Sequence, residues 1–213
     1  ASLKTDRNLA TLRAQTNGTS YTSDSQLWHQ LRVEQFDDRA SELGTGNDWR
    51  RQRTESLGLL HTDDWLTSER LQFHNTLSVR HDRYQSTDLF SDTSESGPSR
   101  TNLSLSLASS WWPIREKLFV YPAVHTQYLS SRREEQTQQQ QTVHPRLAVS
   151  WSAIESVVIR GNIGDFTRPP DYFELFGDRG SIIGNPDLLP ERSAQADLGV
   201  SIKNNSRANL HTQ

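Results

Sequence analysis

A two-residue period dominates this sequence and leaves few folds open to it. Between Leu71 and Asp82, one set of alternate positions reads Leu71, Phe73, Asn75, Leu77 and Val79. The other set reads Gln72, His74, Thr76, Ser78, Arg80 and Asp82. The same pattern sets Leu103, Leu105 and Leu107 against Asn102, Ser104 and Ser106, and Pro145, Leu147, Val149 and Trp151 against His144, Arg146, Ala148 and Ser150. It returns at Val157, Ile159 and Ile163 opposite Val158, Arg160 and Asn162, and again along 194–202. Weaker versions occupy 9–15, 27–36, 55–61 and 118–128. Successive side chains of a strand point to opposite faces, so each run reads as a strand with one apolar and one polar face. No segment carries a capped stripe at helical spacing. The chain is all-β.

Composition limits what the apolar face can rest on. Hydrophobic residues are 32% of the 213 positions, and Ser, Thr, Asn and Gln supply as many. That is little material for an oily core. Yet a net charge of -3, six Trp, five Tyr and seven Phe do not suit a disordered chain. A pI near 6.2 removes the electrostatic footprint of a nucleic-acid binder. The longest apolar run, Leu118 to Val124, falls far short of the ~18 residues of a spanning helix. Without cysteine there is no disulfide framework and no thiolate metal site. Ala1 to Asn8 contain no hydrophobic leader, and methionine is absent throughout, which suggests a piece of a longer chain.

Strand and connection lengths narrow the architecture. Several runs reach the roughly nine to eleven residues of a tilted membrane strand, beyond the ~5–6 usual in soluble sheets. Short connections are expected near 16–25, 62–69, 111–117 and 152–156; long polar ones are expected near 37–52, 86–99, 131–142 and 164–193. Short turns alternating with long loops are the habit of outer-membrane barrels. Trp65, Trp111, Trp112 and Trp151 lie at or beside the short turns, where an interfacial aromatic girdle belongs. The expectation is an antiparallel up-and-down transmembrane β-barrel, present in part as about nine strands. Alternation alone leaves two alternatives open: a passive porin-type barrel and a soluble β-sandwich binding module.

One stretch is more specific than any period. Gly164-Asp-Phe-Thr-Arg-Pro-Pro-Asp-Tyr-Phe-Glu-Leu-Phe-Gly177 is followed by Gly184-Asn-Pro-Asp-Leu-Leu-Pro-Glu-Arg-Ser193. It resembles the mid-barrel signature of the TonB-dependent outer-membrane receptors. Arg168, Pro170, Tyr172, Glu174, Leu175, Gly184, Asn185, Pro186, Leu188, Pro190, Glu191 and Ser193 fit that signature. Thr167 and Pro169 stand where the family usually has an aromatic residue and alanine. With its flanks, the similarity covers roughly residues 100–203. The segment also suits a loop frame. Pro169 and Pro170 cannot continue a ladder, Gly184-Asn185-Pro186 suits a tight reversal, and Pro190 sets the entry to a strand expected near Ser193. Arg168, Glu174 and Glu191 can pair within it, a structural role favoured over direct ligand contact.

The resemblance implies uptake of a scarce nutrient, most often a ferric siderophore, through a barrel built around a plug. Residues 1–213 are then part of one barrel domain, with the plug and remaining strands outside this sequence. The implied partners are outer-membrane lipid, a small-molecule ligand such as a ferric siderophore, and the TonB complex acting through the absent plug and its box. No nucleic acid, cofactor or resident metal is expected. Arg80, Arg146 and Arg160, on polar faces, become candidates to line the lumen, and the loop from Asp165 to Arg192 a candidate to close over the ligand. Catalysis is not expected. There is no nucleophile elbow, phosphate loop or zinc-type His-Glu-x-x-His, and the carboxylates of Asp171, Glu174 and Asp178 have no pocket or third partner. His61, Asp63 and Asp64 read as a hydrated turn rather than a cation site. The Gln-rich run 132–141 reads as a solvated loop tip rather than a contact for ligand or lipopolysaccharide through Arg132 and Arg133.

Overall fold

Each alternating run becomes a strand lying beside its neighbour in sequence. The computed structural model describes residues 1–42, 47–133, 136–170, 174–175, 185 and 187–202, without the side chains of 95, 96 and 136. β1 (Ser2–Asn17), β2 (Tyr21–Asp38), β3 (Asp48–Ser68), β4 (Leu71–Asp88), β5 (Thr93–Ile114), β6 (Leu118–Arg133), β7 (Gln136–Ile154), β8 (Val157–Arg168) and β9 (Glu191–Ile202) form a nine-stranded sheet in chain order. Every pairing is antiparallel. This is an open, up-and-down section of a barrel wall, with β1 and β9 at its edges. Among the described residues no second sheet stacks on it, so the β-sandwich reading falls.

Register fixes the two faces. Trp28, Gly58, Arg80, Asn102, Leu129 and Gln140 form one cross-strand row. Leu27, Leu59, Val79, Leu103 and Tyr128 form the row beside it, on the opposite face. Burial is inverted between them. The first face buries Glu34, Asp38, Ser56, Asp82, Ser110, Ser131, Thr142 and His144. The second exposes Leu27, Leu59, Leu103, Leu107, Leu147, Ile163 and Leu198. A single sheet buries side chains on one side only by curling toward it, so the polar face is the inner one. Each leucine left in water forgoes about 2 kcal/mol. About ten of them outweigh the ~5–15 kcal/mol that hold a whole domain together. The outer face therefore requires an apolar surround.

The outer apolar belt has the height of a membrane core. It runs from Leu57 to Trp65 on β3, from Leu103 to Trp111 on β5 and from Val143 to Trp151 on β7, each about nine residues, as a tilted spanning strand needs. Tyr21, Trp65, Phe73, Trp111 and Trp151 rim it beside the short turns, with Tyr21 and Trp65 in contact at 4.4 Å between ring centroids. Trp112 departs from the expected girdle. The alternation that puts Asn102 and Ser110 inside puts it on the inner face as well, where it packs on Phe119. One polar patch interrupts the outer belt and is satisfied within itself. Ser25 meets His61 Nδ1 at 2.8 Å, and Asp63 accepts from Asn75 at 2.7 Å and from the Trp65 indole at 2.6 Å.

Several expected connections prove to be strand. The turn expected at 62–69 is only 69–70, so His61, Asp63 and Asp64 belong to β3. The other short turns shrink to 18–20, 115–117 and 155–156. The loop expected at 37–52 narrows to 39–47, and that at 86–99 to 89–92. Most of the loop expected at 131–142 is replaced by pairing of Tyr128–Arg133 with 136–141, so 132–133 and 136–141 of the Gln-rich run are ladder, while 134–135 lie outside the described residues. Above the belt both faces meet water, and alternation fades while the backbone ladder continues. Only the 164–193 connection stays long, between Arg168 and Glu191.

Candidate functional site

The inner face carries linked polar side chains whose order follows from the register. Ser56 lies directly opposite Asp82 and donates to its Oδ1 at 2.5 Å; Arg80 Nε donates to the same oxygen at 2.8 Å. A buried carboxylate must be paired to be tolerated, and Asp82 is. Arg80 also lies over the Trp28 indole, 5.5 Å from the ring centroid. That indole spreads across Gly58, where a Cβ would come within 2.3 Å of the ring, so only glycine leaves room. Toward the short turns, His74 sits between Asp64 at 2.5 Å and Ser110 at 3.0 Å. It begins a run of ring contacts through Tyr121 and Phe119 to Trp112. His125 meets Ser106 at 2.7 Å and stacks on His144, with centroids 6.0 Å apart.

Arg80, Arg146 and Arg160 all lie on this inner face, on β4, β7 and β8, spread along the wall rather than gathered into one pocket. The Arg146 guanidinium covers Phe166 at 4.3 Å, and Arg160 donates to Ser201 Oγ at 3.3 Å. Among the described residues no three His, Asp or Glu side chains come together as metal ligands.

The motif loop is closed by one guanidinium. Arg168 ends β8 directly opposite Glu191, which begins β9. Its Nε and Nη2 donate to the two Glu191 carboxylate oxygens at 3.0 and 3.1 Å, and Nη2 also donates to Glu174 Oε1 at 2.9 Å. The planar fork of arginine suits this two-sided clamp, which a lysine point charge would not reproduce. The cluster stands beyond Ile163, the last apolar outer residue of β8. There the guanidinium holds the Glu191 carboxyl below the ordinary glutamate range, and the two glutamates push the Arg168 pKa up. Within the loop, the Asn185 amide donates to the Glu174 carbonyl at 2.8 Å, and Asn185 Oδ1 accepts the Asp187 amide at 3.0 Å, an Asx-type turn.

The loop turns inward. Arg100 of β5 donates to the Pro170 carbonyl at 3.1 Å and to Ser131 Oγ at 3.1 Å, tying the loop's start to the inner wall. Pro170 is buried and Leu175 is 2% exposed. Leu188 is exposed and Pro190 half-buried on the way into β9. Tyr172, Gly184 and Pro186, with Asp171 and Asp178, lie outside the described residues. Arg100, Trp28, Gly58 and the His125–His144 pair were not among the residues singled out from sequence. Two signals point to them: an isolated glycine inside a strand pattern marks close approach, and extending the Leu103 alternation backward puts Arg100 on the polar face.

A family model described as TonB dependent receptor-like, beta-barrel matches residues 2–211. No curated protein matches the chain in sequence. Solved structures do match it in fold. The copper transporter OprC superposes with a TM-score of 0.73 at 14% identity, over 93% of this chain and 36% of that one. The FrpB iron transporter from Neisseria meningitidis (F3-3 variant) gives 0.73 at 11% identity, over 95% and 34%. The ferric citrate transporter FecA in its unliganded form gives 0.64 at 12% identity, over 93% and 32%. The chain spans about a third of the length of these transporters. At such identities the likeness is one of fold.

Proposed function

The chain belongs to the TonB-dependent receptor-like β-barrel family, a family of outer-membrane transporters rather than enzymes, and from that premise we propose that it forms part of the wall of an active importer of a scarce nutrient. The cargo class we favour is a ferric siderophore. Residues 1–213 belong to one barrel domain, completed by further strands and a plug. The outer belt contacts membrane lipid, and Arg80, Arg146 and Arg160 line the wet interior beside the plug. The loop framed by Arg168, Glu174 and Glu191 helps close over the ligand, and the TonB complex supplies energy through the plug.

The observation that carries this reading is the inward tie from Arg100 to the Pro170 carbonyl. A loop that served only to join two strands could extend into solvent. This one is anchored over the polar inner wall, where a passing ligand would meet it. The neighbours carry copper, iron and ferric citrate by their names, and oxygen-rich, anionic iron chelates suit an arginine-bearing wall. The test is growth under iron limitation. Cells lacking the full-length protein should fail to use one ferric siderophore out of a panel, and cells with the protein but without TonB should fail equally. Unimpaired use of every siderophore in both strains would reject the cargo; use that persists without TonB would reject active import.

A further inference from the structure

The outer face of β1–β3 holds a groove just above the apolar belt. It has a volume of about 430 Å³, with Leu31 and Val33 in its floor and Lys4, Arg51 and Arg53 around it. Register places these residues together: Lys4 pairs with Gln35 and Gln35 with Arg51, while Asp6 pairs with Val33 and Val33 with Arg53. They share the face of Leu27, Leu57 and Leu59, so the floor continues the lipid-facing belt. This is the opposite side of the sheet from the inner wall, and cargo passing through the barrel would not reach it.

The groove is positive in a chain that is not. Lys4, Arg51, Arg53 and the adjoining Arg83 stand against Asp6 and Glu55, four cations to two anions, whereas the whole chain carries -3. The pairs present are long and exposed: Lys4 to Asp6 is 3.6 Å and Arg53 to Glu55 is 3.7 Å. Such pairs hold little energy and leave the cations available. Arg51 and Arg83 make no ion pair among the described residues. An apolar floor fused to the belt, with guanidiniums around it, matches an amphiphile with acyl chains below and an anionic head above. Phosphate fits the arginine fork. We propose that this groove seats the phosphorylated headgroup of an outer-leaflet lipid. A free phosphate would leave the leucine–valine floor, which continues the lipid-facing belt, without a purpose.

This rests on the receptor reading, which puts the long-loop end outside the cell. The test uses the full-length protein in mild detergent, with native mass spectrometry counting retained lipid. The probes are bis-phosphorylated lipid A and the same lipid stripped of phosphate. Wild type should retain the phosphorylated form at least about tenfold better, as expected for two charge-assisted contacts. Arg51→Ala with Arg53→Ala should abolish that preference, and Arg51→Lys with Arg53→Lys, which keeps the charge and loses the fork, should keep only part of it. Equal retention of both lipids, or an unchanged preference in the double alanine variant, overturns the proposal. A separate arm tests the premise. Ser91→Cys in the β4–β5 turn should react with an impermeant maleimide on intact cells beyond any labelling of the full-length protein that keeps Ser91; residues 1–213 have no cysteine of their own. Labelling together with equal lipid retention sinks the groove alone; absence of labelling sinks the receptor orientation beneath it.

Discussion

The rows Leu59–Val79–Leu103 and Gly58–Arg80–Asn102 run one residue apart along the same three strands, yet they meet opposite solvents. The first is exposed or half-exposed apolar surface with nothing packed on it. The second is polar and crowded, with Arg80 bonded to Asp82 and lying over Trp28. In a soluble sheet the two would exchange roles, the leucines in a core and the arginine in water. The difference teaches that backbone pairing serves both rows alike, and that side chains are sorted by what lies outside the sheet.

The largest expected effect comes from reversing one face. Leu107→Arg, at the middle of the β5 belt, should destabilise the full-length receptor, refolded into lipid vesicles, by about 2–4 kcal/mol. Ser104→Arg, on the inner face of β5, should change stability by no more than about 0.5 kcal/mol. Urea unfolding midpoints measure both, and equal costs would break the comparison. Next comes the one place where the inner face is packed tightly. Gly58→Val drives a side chain into the Trp28 ring and should cost about 1–3 kcal/mol, and adding Trp28→Ala should restore part of it. Additive costs in the double variant would show that the indole does not occupy the glycine.

Smaller effects lie at the loop. Arg168→Ala should speed proteolytic cleavage between β8 and β9 about tenfold, whereas Arg160→Ala, lower on the same strand, should leave it unchanged. Because Arg168 depresses the Glu191 pKa, the clamp is present above the ordinary glutamate range and is lost as pH falls through the lowered value. Cleavage should accordingly rise on acidification in wild type and stay flat in the alanine variant. The smallest effect belongs to a residue that touches neither face. Glu116 takes φ 61° in the β5–β6 turn, so Glu116→Gly should gain less than ~1 kcal/mol by the same unfolding assay.

What the sequence displayed was the belt. Where one face meets hydrocarbon and the other water, selection writes a period of two, and Leu103, Leu105 and Leu107 could be placed without coordinates. Above the belt that pressure ends. His29 bonds Glu55 on the outer face, and Arg32 bonds Glu34 from the inner one. The strands still pair there, but with no alternation to mark them, and three expected loops gave up their ends to the ladder. The aromatic girdle was visible as tryptophans near turns, but nearness to a turn does not fix a face, and Trp112, even-numbered like Ser104 and Ser106, points inward. The Arg168 clamp followed from three charges in one motif. Its inward tie did not, because Arg100 and Pro170 are 70 residues apart and meet only once the sheet has curled.

The most direct test scans β5 with nitroxide labels. Single cysteines at each position from Asn102 to Ser109 are introduced into the full-length protein in lipid vesicles, with any cysteine outside residues 1–213, which have none, replaced by serine. Collision with oxygen, which concentrates in hydrocarbon, should peak at Leu103, Leu105 and Leu107. Collision with a water-soluble nickel chelate should peak at Asn102, Ser104 and Ser106, half a period out of step. Both probes peaking at the same positions, or the nickel chelate peaking at the leucines, would contradict the assignment of an oily outer wall and a wet inner one.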